Sequence, residues 1–355
     1  MKRNKLKENQ LKVLEHLAQF ESLDYISCLR ILDNEKTNDR TKLSYVFRPL
    51  TKNNYVKKYK DDSVRILSKG KALFPDITPL ITIGGGDSSA KRINTVSRVA
   101  MYLKEVSINS YSEIREDEKI YFIPSACWRK IRTGILSTTR FAGMLMMPGH
   151  RLAAYDIGNG TMEWQLRAER SLFYKNYSDF ETSATGMLLI CCEDKRTDVA
   201  LQIIRETMWQ RKQLLGNAVN QRDKPVKYVK SPIRLAAQYE HVYLTTPDRL
   251  KTSIIKIAEE ERYIAKVQNE NPKCSYKSEG DYEDWPYRHF VNITSDLLKY
   301  VYYFAAARLL MQSREAGRVE LNYAIALPED DFPILNMYPD IIDMEGMKFY
   351  ECRDN

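Results

Sequence analysis

The sequence predicts two regions of different class: an α+β head over residues 1–75, and an α/β body built on a mixed sheet. Three observations carry this expectation. Short helical stripes are followed by a basic two-stranded hairpin within the head; strand and helix patterns alternate beyond residue 118; and the formal charge divides unevenly between the two. Residues 1–74 hold 17 Lys and Arg against 9 Asp and Glu, which is the whole of the +8 excess, while positions 75–355 hold 38 of each. A basic head on a neutral body is the arrangement expected when one module meets a polyanion.

In chain order, Leu11, Leu14 and Leu17, widened by Val13 and Phe20, fall at helical spacing and predict a first amphipathic helix. Ser22 reads as the N-cap of a second short helix carrying Leu23, Ile26, Leu29 and Ile31 or Leu32. Leu43, Val46, Phe47 and Leu50 mark one face of a third. Pro49 removes an N–H from that pattern, so the third helix is expected to stop near Phe47, with Pro49 opening a last turn. YVKKYK and SVRILS then read as strands joined by Asp61 and Asp62, and KGKALFP as a short closing helix ended by Pro75.

Residues 76–117 read as a linker and connecting helix. ITIGGGDSSAKR has glycines before a helix start, but it lacks both the GK[ST] ending of a phosphate loop and the GxGxxG spacing of a dinucleotide fold. The helix pattern through Ile93, Val96, Val99 or Ala100, and Leu103 is expected to pack on either neighbour. From 118 to 355, KIYFIP, GMLMMPGHRLAAYDI (with a hairpin at Pro148-Gly149), MLLICCE, HVYLTTP, HFVNI, VELNYAIALP and MKFYEC read as strands. TMEWQLRAERSLFYKNY, DVALQIIRETMWQRKQLL, DRLKTSIIKIAEEERYIAKV and DLLKYVYYFAAARLLMQSREA read as helices, and residues 266–288 as a surface excursion.

Several function classes are disfavoured by composition. The six cysteines form no CxxC pair and the four histidines no HxH or HxxxH, so neither a zinc site nor a disulfide framework is expected. No GxSxG motif stands in the chain. No apolar run approaches the roughly 18 residues of a membrane span, and a cytoplasmic protein without membrane contact is expected.

Two constellations could carry function. In the head, Arg40, Lys42, Ser44, Tyr45 and Arg48 suit a helix presented to the major groove; Lys52, Lys57, Lys58, Lys60 and Arg65 suit phosphate contacts beside it. In the body, Asp156 and the Glu193-x-Lys195 triplet offer the two carboxylates and lysine that a Mg²⁺-dependent nuclease of the restriction-endonuclease-like class uses. The two elements lie far apart in the chain, where that class carries them on neighbouring strands. No catalytic residue, metal or cofactor is therefore assigned outside that alternative.

Read in order, KENQLKVLEHLAQF, SLDYISCLRIL, TKLSYVFRPLTKNNYVKKY and RILSKGKALF resemble a winged helix-turn-helix module of DNA-binding regulators. The whole layout is similar to the replication-relaxation family of bacterial plasmids and integrative mobile elements, closely over residues 1–75 and by element order alone thereafter. The resemblance implies binding of double-stranded DNA in replication, transfer or transcriptional control, with the body serving assembly as a homodimer or contact with a protein partner. The alternatives from other classes are the nuclease, and an adaptor or inhibitor that grips another protein.

Overall fold

The computed structural model describes residues 6–33, 40–59, 62–82, 87–131, 141–158, 184–204, 241–260, 262, 275–277, 280–284, 287–304, 307, 322–339 and 346–351. It is a mixed α+β structure, and it divides into two compact units, one reaching to Asp156 and the other beginning at Ile157. No helix among the described residues is long and apolar enough to cross a membrane.

The first unit opens with α1 (Glu8–Phe20), which buries Val13, Leu14, Leu17, Ala18 and Phe20. Glu21 ends it in the left-handed region at φ 60°, with its N–H donating to Leu17 O at 2.7 Å. The chain then enters a short strand, β1 (Ser22–Asp24), which pairs antiparallel with β3 (Ser63–Ile66). Ser22 is thus a strand residue and not a helix cap: its hydroxyl donates to Asn94 Oδ1 at 2.6 Å. Helix α2 starts later, at Cys28 (Cys28–Asp33), and Asp24 Oδ1 accepts the Ser27 N–H at 2.8 Å just ahead of it. So short a strand cannot show whether its period is 2 or 3.6, which is why Leu23 reads as part of a helical stripe.

Helix α3 (Arg40–Lys52) runs past the expected stop at Phe47, with Pro49 inside it. Proline costs a helix most in its interior, but here it lies in the closing turns. Pro49 and Tyr45 are both exposed, so the carbonyl left without a partner lies on the solvent side. Asn53 secures the end, its backbone N–H and its side-chain amide both donating to Pro49 O, at 3.0 and 2.8 Å.

The expected hairpin is present as β2 (Val56–Lys58) and β3, with Lys57 opposite Arg65 and Lys58 opposite Val64. The three strands form one antiparallel sheet in the order β1-β3-β2. A single core unites Leu14, Leu17, Leu23, Leu43, Phe47, Leu50, Val64 and Phe74 with Met101 from α5 (Asp87–Glu105). In α4 (Ser68–Lys71) Gly70 is required by close approach, because a Cβ there would stand 2.5 Å from Tyr55 O.

The connecting helix α5 packs on both sides, against α1 and β1 and against β4 (Tyr121–Pro124) and β5 (Phe141–Met147). α6 (Ser125–Ile131) follows β4 directly. β4, β5 and β6 (His150–Gly158) form an antiparallel meander, and the β5–β6 turn falls at Pro148-Gly149, with Met147 opposite His150 and Gly149 at φ 72°.

In the second unit β7 (Gly186–Cys191), buried throughout, runs parallel to β8 (His241–Thr245). A five-stranded mixed sheet in the order β13-β12-β11-β10-β9 joins β9 (Ser275–Lys277), β10 (Gly280–Asp284), β11 (Tyr287–Val291), β12 (Asn322–Leu327) and β13 (Met347–Glu351). β11, β12 and β13 are parallel; β9, β10 and β11 are antiparallel. The stretch 266–288 is therefore not merely a surface excursion, since it supplies β9, β10 and the start of β11. Its charged sequence is of the kind tolerated towards a sheet edge. Residues 196–204 and 297–304 are helical, as is Leu250–Ala258, in line with three of the expected helices. The helix expected over 161–177 lies outside the described residues.

Candidate nucleic-acid interface

Helix α3 sorts its residues by side. Leu43, Phe47 and Leu50 face the core, while Ser44, Arg48 and Lys52, spaced four apart, share an exposed strip with Tyr45 beside them. Tyr45 is 80% exposed, an unusual position for a large aromatic side chain. Arg40 and Lys42 occupy the first turn of the helix, but their side chains lie outside the described residues, as does Lys60.

The hairpin cations sit over tyrosine rings. Lys57 Nζ lies 5.2 Å and the Arg65 guanidinium 3.9 Å from the centre of Tyr59, and Lys58 Nζ lies 3.9 Å from that of Tyr25. Such contacts hold a cation in place for about 0.5–1 kcal/mol at exposed sites without neutralising it. The lysines are not equivalent. Lys58 also bridges to Asp62 at 3.1 Å, whereas Arg48, Lys52 and Lys57 have no carboxylate partner among the described residues. Sequence reasoning missed Lys69, which lies 5.1 Å over Tyr55 and donates to Asn53 O at 2.9 Å, next to the end of α3. The basic SKGK run was the available signal. Lys71 of the same run is paired with Glu21.

The body residues are differently placed. Asp156 is buried, and Arg98 Nε donates to its Oδ2 at 2.5 Å while Arg98 Nη1 donates to Asp24 Oδ2 at 2.9 Å. Burial by itself would lower the pKa of Arg98, but the charges of Asp156 and Asp24 outweigh it and raise the pKa. Glu193 stands in the turn after β7 and accepts from Thr246 Oγ1 at 2.5 Å and from Arg249 Nε at 2.8 Å. Desolvation would raise its pKa, yet these hydrogen bonds and the Arg249 charge bring it below the usual carboxylate value. Lys195 Nζ lies 3.9 Å from Asp194.

The same end of the second unit carries a buried network. Arg196 pairs with Asp331 and donates to Ser295 Oγ at 3.0 Å and Asp330 O at 3.1 Å, and Tyr300 donates to Asp331 Oδ2 at 2.6 Å. Arg249 also pairs with Asp330. The turns after β7, β8 and β12 are thereby tied together by arginines. Asp156 and Glu193 are each engaged by an arginine, Asp156 by Arg98 and Glu193 by Arg249. No group of three or more His, Cys, Asp or Glu able to hold a metal ion occurs among the described residues. Of the cysteines, Cys28, Cys127 and Cys191 are buried thiols and Cys192 is half-buried.

No protein-family model matches this chain, no curated protein matches it, and no solved structure matches it.

Proposed function

We propose that the chain is a sequence-dependent double-stranded DNA-binding protein in which residues 1–75 are a winged helix-turn-helix module. In this reading α3 enters the major groove, and the β2–β3 hairpin is the wing that grips phosphates. The observation that carries the proposal is the exposed strip Ser44, Tyr45, Arg48 and Lys52 beside a hairpin of cations held over tyrosines, on the order helix, strand, helix, helix, strand, strand. Ser44, Tyr45 and Arg48 read base edges; Lys52, Lys57, Arg65 and Lys69 hold the backbone. The body serves self-assembly or contact with a protein partner. A role in replication, transfer or transcriptional control on a mobile element rests on the resemblance of the head alone.

Selection from a pool of random duplexes, followed by sequencing of the bound fraction, tests the reading. The intact chain is expected to enrich a defined site, and Ser44→Ala with Arg48→Ala to relax it. A bound pool indistinguishable from the input would sink the proposal.

A further inference from the structure

Helices α1, α2 and α5 line a cleft of about 290 Å³. Its deepest residues are His16 and Met101, which are 3% and 2% exposed, and half-buried Ile31 forms one wall. The rim is charged and tied across the helices. Lys104 pairs with Glu15 at 3.0 Å, joining α5 to α1, and Arg30 pairs with Glu105 at 2.9 Å, joining α2 to α5. One polar group at the bottom is not spent. His16 Nε2 lies 3.1 Å from Ser97 O, which can only accept, so the ring proton sits on Nε2 and Nδ1 keeps its lone pair. No hydrogen bond reaches Nδ1 among the described residues. The ring is fixed by stacking on Phe20, centre to centre at 4.9 Å. Burial and the Lys104 charge keep it neutral, so the lone pair is available across the ordinary pH range.

We propose that this cleft binds a small, neutral aromatic ligand bearing an N–H donor, with the donor placed on His16 Nδ1. A buried acceptor without a partner is unfavourable, and a ligand N–H removes that cost. The ring lies against Met101 and Ile31, and a methionine sulfur makes favourable contacts with aromatic rings. Rim cations favour an aromatic face, and Arg30 already takes one, its guanidinium lying 5.1 Å from the centre of the Tyr102 ring. The acids paired with those cations balance their charge, so a neutral ring fits better than an ion. A volume near the roughly 300 Å³ lower end of ligand sites suits one ring or two fused rings. None of these residues is among those assigned to the duplex, so the site does not rest on the reading of the head.

The test uses the full chain and two probes, indole and benzofuran, which are similar in size and shape while only indole has an N–H. Isothermal titration calorimetry should give saturable binding of indole at one site, with benzofuran about fivefold weaker, the worth of one hydrogen bond. His16→Phe should bind both probes without the preference. Ile31→Trp, which fills the cleft from its half-buried wall, should bind neither, and circular dichroism checks that each variant folds. Where a variant does not fold, the preference of wild type for indole decides. Absence of saturable indole binding by wild type, or equal affinity for the two probes, overturns the proposal. So does a preference for indole that persists in His16→Phe, or indole binding that Ile31→Trp leaves unchanged.

Discussion

Replacing Arg98 by alanine removes a side chain that joins β1, α5 and β6. Its guanidinium pairs with Asp156, whose side chain is 6% exposed, and with Asp24, whose side chain is 24% exposed. The buried Asp156 therefore governs the magnitude. Breaking a buried pair by removing one partner costs about 3–5 kcal/mol, because the remaining carboxylate is left desolvated. The more exposed Asp24 bridge adds at most about 1 kcal/mol. At about 2–4 °C per kcal/mol for a unit of this size, the melting temperature should fall by about 6–24 °C. Urea unfolding followed by circular dichroism on wild type, Arg98→Ala, Asp156→Leu and the double variant Arg98→Met/Asp156→Leu gives the comparison. The double variant should be close to wild type, since an apolar pair of similar volume replaces a buried ion pair at little cost. A loss below about 1 kcal/mol in Arg98→Ala, or a double variant worse than the sum of its parts, would refute this account of Asp156 as a structural partner.

Other predictions follow from the same kind of reasoning. His16 is buried, with Nε2 at 2.9 Å from Ser97 Oγ; burial and the Lys104 charge push its pKa down to about 3. Its folded pKa lies below the unfolded value of 6.5, so stability is complete above pH 6.5 and is lost as pH falls towards 3, at about 1.4 kcal/mol per pH unit. Comparison with His16→Gln in acid-range unfolding isolates this contribution as the difference in slope. Asp331→Ala should cost about 3–5 kcal/mol by stranding buried Arg196, while Tyr300→Phe should cost about 1 kcal/mol, both read from urea midpoints. Lys57→Gln should reduce the salt slope of duplex binding by about 0.9, and Lys58→Gln by less, because Asp62 already shares the Lys58 charge.

What was legible in the sequence is local. The stripe Leu14, Leu17 and Phe20 needs only its own helix to be seen, and the lysines of YVKKYK mark an exposed basic strand, whose Lys57 and Lys58 face solvent, wherever the rest of the chain lies. Ser22–Asp24 was hidden because its pairing partner, Ser63–Ile66, is distant in sequence and the segment is too short for periodicity. β9 and β10 were hidden for a related reason, since the end of the sheet formed by the edge strand β9 and its neighbour β10 tolerates the charges that make a segment look like a loop. The candidate residues divide along the same line. Exposure of Ser44, Tyr45 and Arg48 follows from the opposite face being apolar. The fate of Asp156 depends on Arg98, 58 residues distant in sequence, which also reaches Asp24 over 74 residues. A carboxylate at a strand end reads as a potential metal ligand until its partner is known. The difference between Lys57 and Lys58 likewise comes from Asp62 and Tyr25, not from either lysine.

The central claim concerns the basic head, and the salt dependence of duplex binding tests it most directly. Fluorescence anisotropy of the full chain on a mixed-sequence duplex, between about 50 and 200 mM salt, should give a slope of log affinity against log salt near −4 to −5. Lys52→Ala/Lys57→Ala/Lys69→Ala should reduce its magnitude by about 2.7, three phosphate contacts at about 0.9 each. Absence of duplex binding by wild type, or a slope that the triple variant leaves unchanged, would contradict the account.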